Sequence, residues 1–96
     1  MVNNHGYINT NAGLTTFTLP ALAAVGDVIE VAGEGAGGWR VAQNALQSIQ
    51  NGNNSTTIGV GGSMSSFSRY DTVRLVCRVA NTTWSTIANT GIPNLV

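Results

Sequence analysis

Charge is what this sequence has least of. Charged residues make up 8% of its 96 positions, and lysine does not occur. Soluble domains average about 25% charge, and most keep apart in solution by displaying Lys and Glu. Here hydroxyls and side-chain amides have to make the water-facing surface. Four Arg balance two Asp and two Glu, for a formal net charge of zero. Binding a polyanion needs an excess of positive charge, so no nucleic-acid partner is expected. Cys77 is the single cysteine, which excludes an internal disulfide. With one Cys and one His no structural zinc site can be assembled, and neither metal nor cofactor is expected. No apolar run approaches the ~20 residues of a membrane span, so membrane insertion is not expected. The start, Met1-Val-Asn-Asn-His5, has neither a basic n-region nor an apolar h-region, and no signal peptide is expected.

What is present favours β-structure. Apolar residues are 43% of the chain, too many for compositional disorder, and Gly occurs 12 times. Thr is a good strand former, while Asn and Gly make turns. One all-β domain over residues 1–96 is expected, a small antiparallel sandwich or barrel-like meander, with residues 1–6 as a flexible amino-terminal stretch. A chain of this length buries only roughly 60–65% of its unfolded surface. That thin margin makes assembly as a symmetric homo-oligomer the expectation.

The alternation of apolar and polar residues places the strands. Between Leu14 and Pro20, Phe17 and Leu19 face one way and Thr16 and Thr18 the other. Between Asp27 and Ala32, Ile29 and Val31 share a face with Glu30 between them. Asp71–Val79 is the longest regular stretch, with Val73, Leu75, Cys77 and Val79 on one face and Thr72, Arg74, Val76 and Arg78 on the other. Ala80–Thr83 reads as a turn and Trp84–Ile87 as a return strand, a hairpin. Residues 39–50 fit two periods. As strand, Trp39 and Val41 share a face and a second strand runs through Ile49; as helix, Val41, Ala45 and Ile49 fall at i, i+4, i+8. Residues 51–68 read as irregular strands and turns.

The chemical motifs are sparse. Gly33-x-Gly35-x-x-Gly38 follows a strand, as in a dinucleotide fingerprint, but the required acid roughly 20 residues on is missing. A glycine turn between strands is the simpler reading. His5 with a Ser and Asp71 would make a poorly held triad, because His5 lies in the amino-terminal stretch. A glycosidase needs two carboxylates across a sugar. Of Asp27, Glu30, Glu34 and Asp71, three belong to one strand-turn segment, and Asp71 is placed to cap a turn or pair with an Arg. No catalytic residue is assigned and no enzyme is expected. Cys77, in an apolar strand, reads as a buried small hydrophobe. Trp39 and Trp84 are core anchors of a small β-domain in one reading. In the other, Trp39, Arg40 and Trp84 contact a glycan. Glu30, Arg74 and Arg78 are candidate subunit contacts, the Arg pairing with acids of a neighbouring copy; as solvated charges they need no partner.

Two stretches carry a resemblance. Leu19-Pro-Ala-Leu-Ala-Ala-Val-Gly-Asp-Val-Ile-Glu-Val-Ala-Gly-Glu-Gly-Ala-Gly-Gly-Trp-Arg-Val-Ala-Gln-Asn44 and Arg69-Tyr-Asp-Thr-Val-Arg-Leu-Val-Cys-Arg-Val-Ala-Asn-Thr-Thr-Trp84 resemble segments of bacteriophage tail-fibre and related prophage structural modules. With the polar stretch between them the resemblance covers roughly residues 7–90. It departs at Leu46, where the family pattern has Gly, at Asn51, where it has an aromatic, and at the ending Ile92-Pro-Asn-Leu-Val96. The resemblance implies an all-β distal module of a virion tail fibre, made in the bacterial cytoplasm and usually trimeric. It implies structural and receptor-binding roles without catalysis, with a host-surface glycan as the expected outside partner. It also tilts residues 39–50 toward strand. The rival reading is a lectin-like carbohydrate-binding domain.

Overall fold

Short alternating runs of Thr, Val and Ile between Gly and Asn turns fold as ten strands and no helix. The computed structural model describes residues 1–96. The strands are β1 (Gly6–Asn9), β2 (Thr15–Thr18), β3 (Val28–Gly33), β4 (Trp39–Ala42), β5 (Ser48–Asn51), β6 (Asn54–Ser55), β7 (Ser63–Ser65), β8 (Thr72–Val79), β9 (Thr83–Thr90) and β10 (Asn94–Leu95). They form a six-stranded sheet, β1-β3-β8-β9-β5-β6, and a four-stranded sheet, β10-β7-β4-β2. Neither sheet closes on itself.

The all-β expectation holds, but the pairing is mixed rather than antiparallel, and the strand order is not a meander. β1 pairs β3, β2 pairs β4 and β5 pairs β9, all in parallel. The cause lies in the path of the chain. β1 belongs to the first sheet, β2 to the second, β3 to the first and β4 to the second. Each crossing reverses direction, so alternate strands land side by side pointing the same way. A parallel pair usually needs a helical crossover; here a strand of the opposite sheet takes its place. Successive turns of this winding then touch backbone to backbone. A Cβ on Gly35 would overlap the Asn11 carbonyl, and one on Gly37 would overlap Gly13. The Asn9 carbonyl accepts from Glu34 N (2.9 Å) and Gly35 N (2.7 Å). The glycine cluster is therefore a close-approach seam between loops.

Residues 39–50 are strand, turn and strand. Trp39, Val41 and Ile49 are all fully buried. The turn between β4 and β5 is closed by Gln47 N donating to Asn44 O at 3.2 Å, and Leu46 in its third position takes φ 67°. Glycine is the residue such a position favours. A side chain there costs about 1–2 kcal/mol. In β8, Val73, Leu75 and Cys77 are buried as the alternation predicts, but Val79 is 54% exposed. The pairing slips between Cys77 and Val79. This irregularity ends the alternation and turns Val79 out of the core.

The amino-terminal residues carry hydrogen bonds. Met1 N donates to Thr18 O (2.8 Å), and Asn3 Nδ2 to Leu22 O (2.8 Å). Asn4 pairs with Val28 both ways, donating from its backbone N to Val28 O (2.7 Å) and accepting from Val28 N on its side chain (3.0 Å).

One hydrophobic cluster joins the sheets. It contains Leu19, Ile29, Val31, Trp39, Val41, Ile49, Met64, Val73, Leu75, Cys77 and Trp84, with Ala23 at its margin. Buried amides sit beside it. Gln47 Nε2 donates to Pro20 O (2.8 Å) and Asn81 O (3.1 Å), while its Oε1 accepts from Asn44 N (2.8 Å). Gln43 Nε2 reaches the carbonyls of Gln47 (2.7 Å), Thr57 (2.9 Å) and Gly59 (2.9 Å), and Thr56 Oγ1 bonds Gln43 Oε1. These side chains supply partners to loop backbone that no ladder serves. Replacing Gln47 with Leu keeps volume but strands the Pro20 and Asn81 carbonyls, so Gln47→Leu is expected to cost about 2–3 kcal/mol. Urea unfolding followed by Trp fluorescence measures this; an unchanged midpoint would remove the amide from its role.

Candidate functional site

The outer face of the six-stranded sheet carries a broad concavity. β3 and β8 pair antiparallel with Glu30 opposite Arg74. The alternation that buries Ile29, Val31, Val73 and Leu75 sends these two charges to the other face. Arg74 Nε lies 2.9 Å from Glu30 Oε1, with both side chains 53% exposed. At that exposure the pair contributes at most about 1 kcal/mol. Its position matters more. A groove of about 490 Å³ crosses this face from β1 to β9, lined around the ion pair by Gly6, Ile8, Ala32, Thr72, Ala88 and Thr90. A second depression, of about 350 Å³, shares Glu30 and Arg74 and adds Asn4 and His5. The small residues keep the floor low. The guanidinium engages Glu30 through Nε alone, leaving its Nη groups as donors and Glu30 Oε2 as an acceptor.

The other residues singled out from sequence do not converge on this groove. Trp39 and Trp84 are 0% exposed, so neither ring offers a face to a sugar in solution. Trp39 Nε1 donates to Asp71 O at 2.8 Å, anchoring the start of β8 to β4. Trp84 Nε1 is buried without a partner. Arg40 is exposed on β4 of the other sheet, beside Ser65 and Thr16 in register. Arg78 Nη1 donates to Gln50 Oε1 (2.5 Å) and Ser85 Oγ (3.4 Å). Of the three candidate subunit contacts, Glu30 and Arg74 thus meet within one chain, and Arg78 bonds β5 and β9.

Asp71 and His5 are engaged locally. The buried Asp71 carboxylate accepts from Phe67 N (2.9 Å) and Ser68 N (2.8 Å), the turn-capping role expected of it. His5 Nδ1 lies 2.8 Å from Asn3 O. No three His, Cys, Asp or Glu residues cluster in a way that could hold a metal ion. The groove was missed in sequence because Ile8, Ala88 and Thr90 carry no motif; only the Glu30 and Arg74 alternation pointed to that face.

The chain matches no family model, no curated protein and no solved structure.

Cys77 is buried beside Trp84 in register, and its Sγ donates to Val79 O at 3.3 Å. Burial pushes the thiol pKa up; the hydrogen bond with the Asn81 backbone opposes this, and the Asp27 charge adds to it. The folded chain therefore holds the thiol proton more tightly than the unfolded chain does. Stability is expected to fall as pH rises above about 8.5, where the unfolded thiol ionises. At neutral pH an aromatic disulfide reagent should label Cys77 at least tenfold faster in urea than in buffer. Equal rates would mean that the thiol is open.

Proposed function

We propose that this chain is a non-enzymatic structural module of a bacteriophage tail fibre. In this reading the two sheets form a small sandwich, and copies assemble as a symmetric homo-oligomer, a trimer, in the virion. The observation that carries the reading is the surface. Fourteen large apolar or aromatic residues, from Leu14 at 50% to Ile92 at 82%, are exposed, on a chain with eight charged residues. Apolar surface on this scale, with little charge to break it up, suits a protein covered by copies of itself. The resemblance of residues 19–44 and 69–84 supports the fibre assignment. The acids support the non-enzymatic part, since Asp71 caps a turn and Glu30 pairs with Arg74. Sedimentation at micromolar concentration should give three times the chain mass of 9.9 kDa. A species of one chain mass would overturn the assembly.

Contact with a host-surface glycan is the second part of the proposal, and the groove favours it. A sugar hydroxyl both donates and accepts, and Arg74 and Glu30 offer one of each beside the Thr72 and Thr90 hydroxyls and the Ala32 and Ala88 methyls. The fully buried Trp39 and Trp84 have no part in this contact. In an array of neutral surface polysaccharides, binding should appear for the parent protein and drop at least tenfold in Arg74→Leu, with the unfolding midpoint retained. Equal binding by the two proteins would remove the groove from receptor contact.

A further inference from the structure

The groove and the second depression on the outer face join. Register lays this face out in rows that run across the strands. Gly6, Glu30, Arg74 and Ala88 make one row, and Ile8, Ala32, Thr72 and Thr90 make the next. Neighbours in a row stand about 5 Å apart, so each row spans roughly 14 Å from β1 to β9. The groove lies over both rows, and the second depression continues past the first row to Asn4, His5 and Val28. Gly6, Glu30 and Arg74 line both. Glu30 and Arg74 raise exposed side chains between the two. Gly6 has none, and a Cβ added there would meet nothing within 4 Å. Gly6 is thus the low point through which the groove and the second depression connect.

The two sides of this low point differ in chemistry. On the groove side, Ile8 (65% exposed) and its register partner Ala32 present only methyl and methylene groups. On the other side His5 offers Nε2, its Nδ1 being held at Asn3 O. Between them stand a donor, the Nη groups of Arg74, and an acceptor, Glu30 Oε2, whose charges cancel. A ligand that uses all of these is neutral. It carries an acceptor and a donor side by side, with a small apolar group to one side.

We propose that this furrow takes a neutral glycan chain of acetamido sugars, with the acetamido methyl against Ile8 and Ala32. The inference rests on the glycan-contact reading above and names the class of sugar. An acetamido oxygen only accepts, which suits a guanidinium that only donates. The hydroxyl on the neighbouring ring carbon donates to Glu30 Oε2. The methyl takes Ile8 and Ala32 surface out of water. A plain hexose sets a hydroxyl against the same two side chains, where neither can pair it, and an unpaired polar group costs affinity. A sugar acid brings its carboxylate to Glu30, and an amino sugar its ammonium to Arg74. The sugar chain crosses at Gly6, where no side chain stands in its way.

Chitohexaose and cellohexaose test the class, because the two differ only in an acetamido or a hydroxyl group at each C2. By titration calorimetry the parent should bind chitohexaose at least about tenfold more tightly. Ile8→Thr, which also suits a strand, should shrink that preference. Gly6→Val tests the path. The added side chain has open space and a β-branched shape that strands favour, so the urea midpoint should hold or rise while chitohexaose affinity falls at least tenfold. Equal affinity for the two hexaoses, or binding of array polysaccharides without binding of chitohexaose, would overturn the acetamido assignment and leave glycan contact standing. Chitohexaose binding that Gly6→Val leaves unchanged would overturn the furrow as its seat. A parent that binds neither hexaose nor any polysaccharide of the array would overturn both readings.

Discussion

Hydrogen bonding of loop backbone by buried side-chain amides is the constraint on which this molecule depends. Its strands are two to eight residues long, and 24 of its 52 backbone hydrogen bonds lie outside the strand ladders. Burying an unpaired peptide group costs about 1–3 kcal/mol, so connections folded against a core must find partners. Asn9, Gln43, Gln47 and Thr56 provide them from buried positions. Asn9 alone donates to Gly38 O (2.6 Å) and accepts from Asn11 N (3.0 Å) and Thr15 Oγ1 (2.8 Å). The amide-rich composition thus has an interior use. An amide can donate and accept without the desolvation cost of an ion.

The same constraint shapes the winding. Strands that alternate between sheets need connections at both ends, and these connections stack. Backbone can approach backbone only where no Cβ intervenes, which places Gly35 and Gly37 at the contact with Asn11 and Gly13. Trp39 and Asp71 lock the result. The indole N–H bonds the Asp71 carbonyl across the core while the Asp71 carboxylate gathers two backbone N–H groups of the preceding turn. A residue that looked catalytic by type is thereby committed to structure, and so are both Trp residues.

With polar groups spent inside and few charges outside, the surface carries regions of different character. The outer face of the six-stranded sheet pairs a donor and an acceptor over a floor of small residues. The strand end at Leu22, Val25, Leu46 and Val79 exposes aliphatic side chains.

Much of this was legible in the chain. The period-2 alternation identified β2, β3, β8 and β9 and the inward set Ile29, Val31, Val73, Leu75 and Cys77, because a strand places every second side chain on one face. Asp71 as a turn cap, Cys77 as a core residue and the glycine motif as a connection also followed from residue type and neighbours. The seam role of those glycines did not, since it depends on which loop lies alongside. Strand order and direction were not legible either: alternation says which face is buried and nothing about which strand is adjacent. The Val79 exposure came from a slip in pairing and the Glu30–Arg74 meeting from register, while the packing of two sheets decided between the two readings of the Trp rings, as core anchors rather than glycan contacts. The amino-acid sequence by itself determined a neutral all-β chain with a defined inward face. Only the tertiary structure decided the parallel pairings, the groove and the aliphatic end, because these are made by residues distant in the chain whose proximity arises from the crossing between sheets.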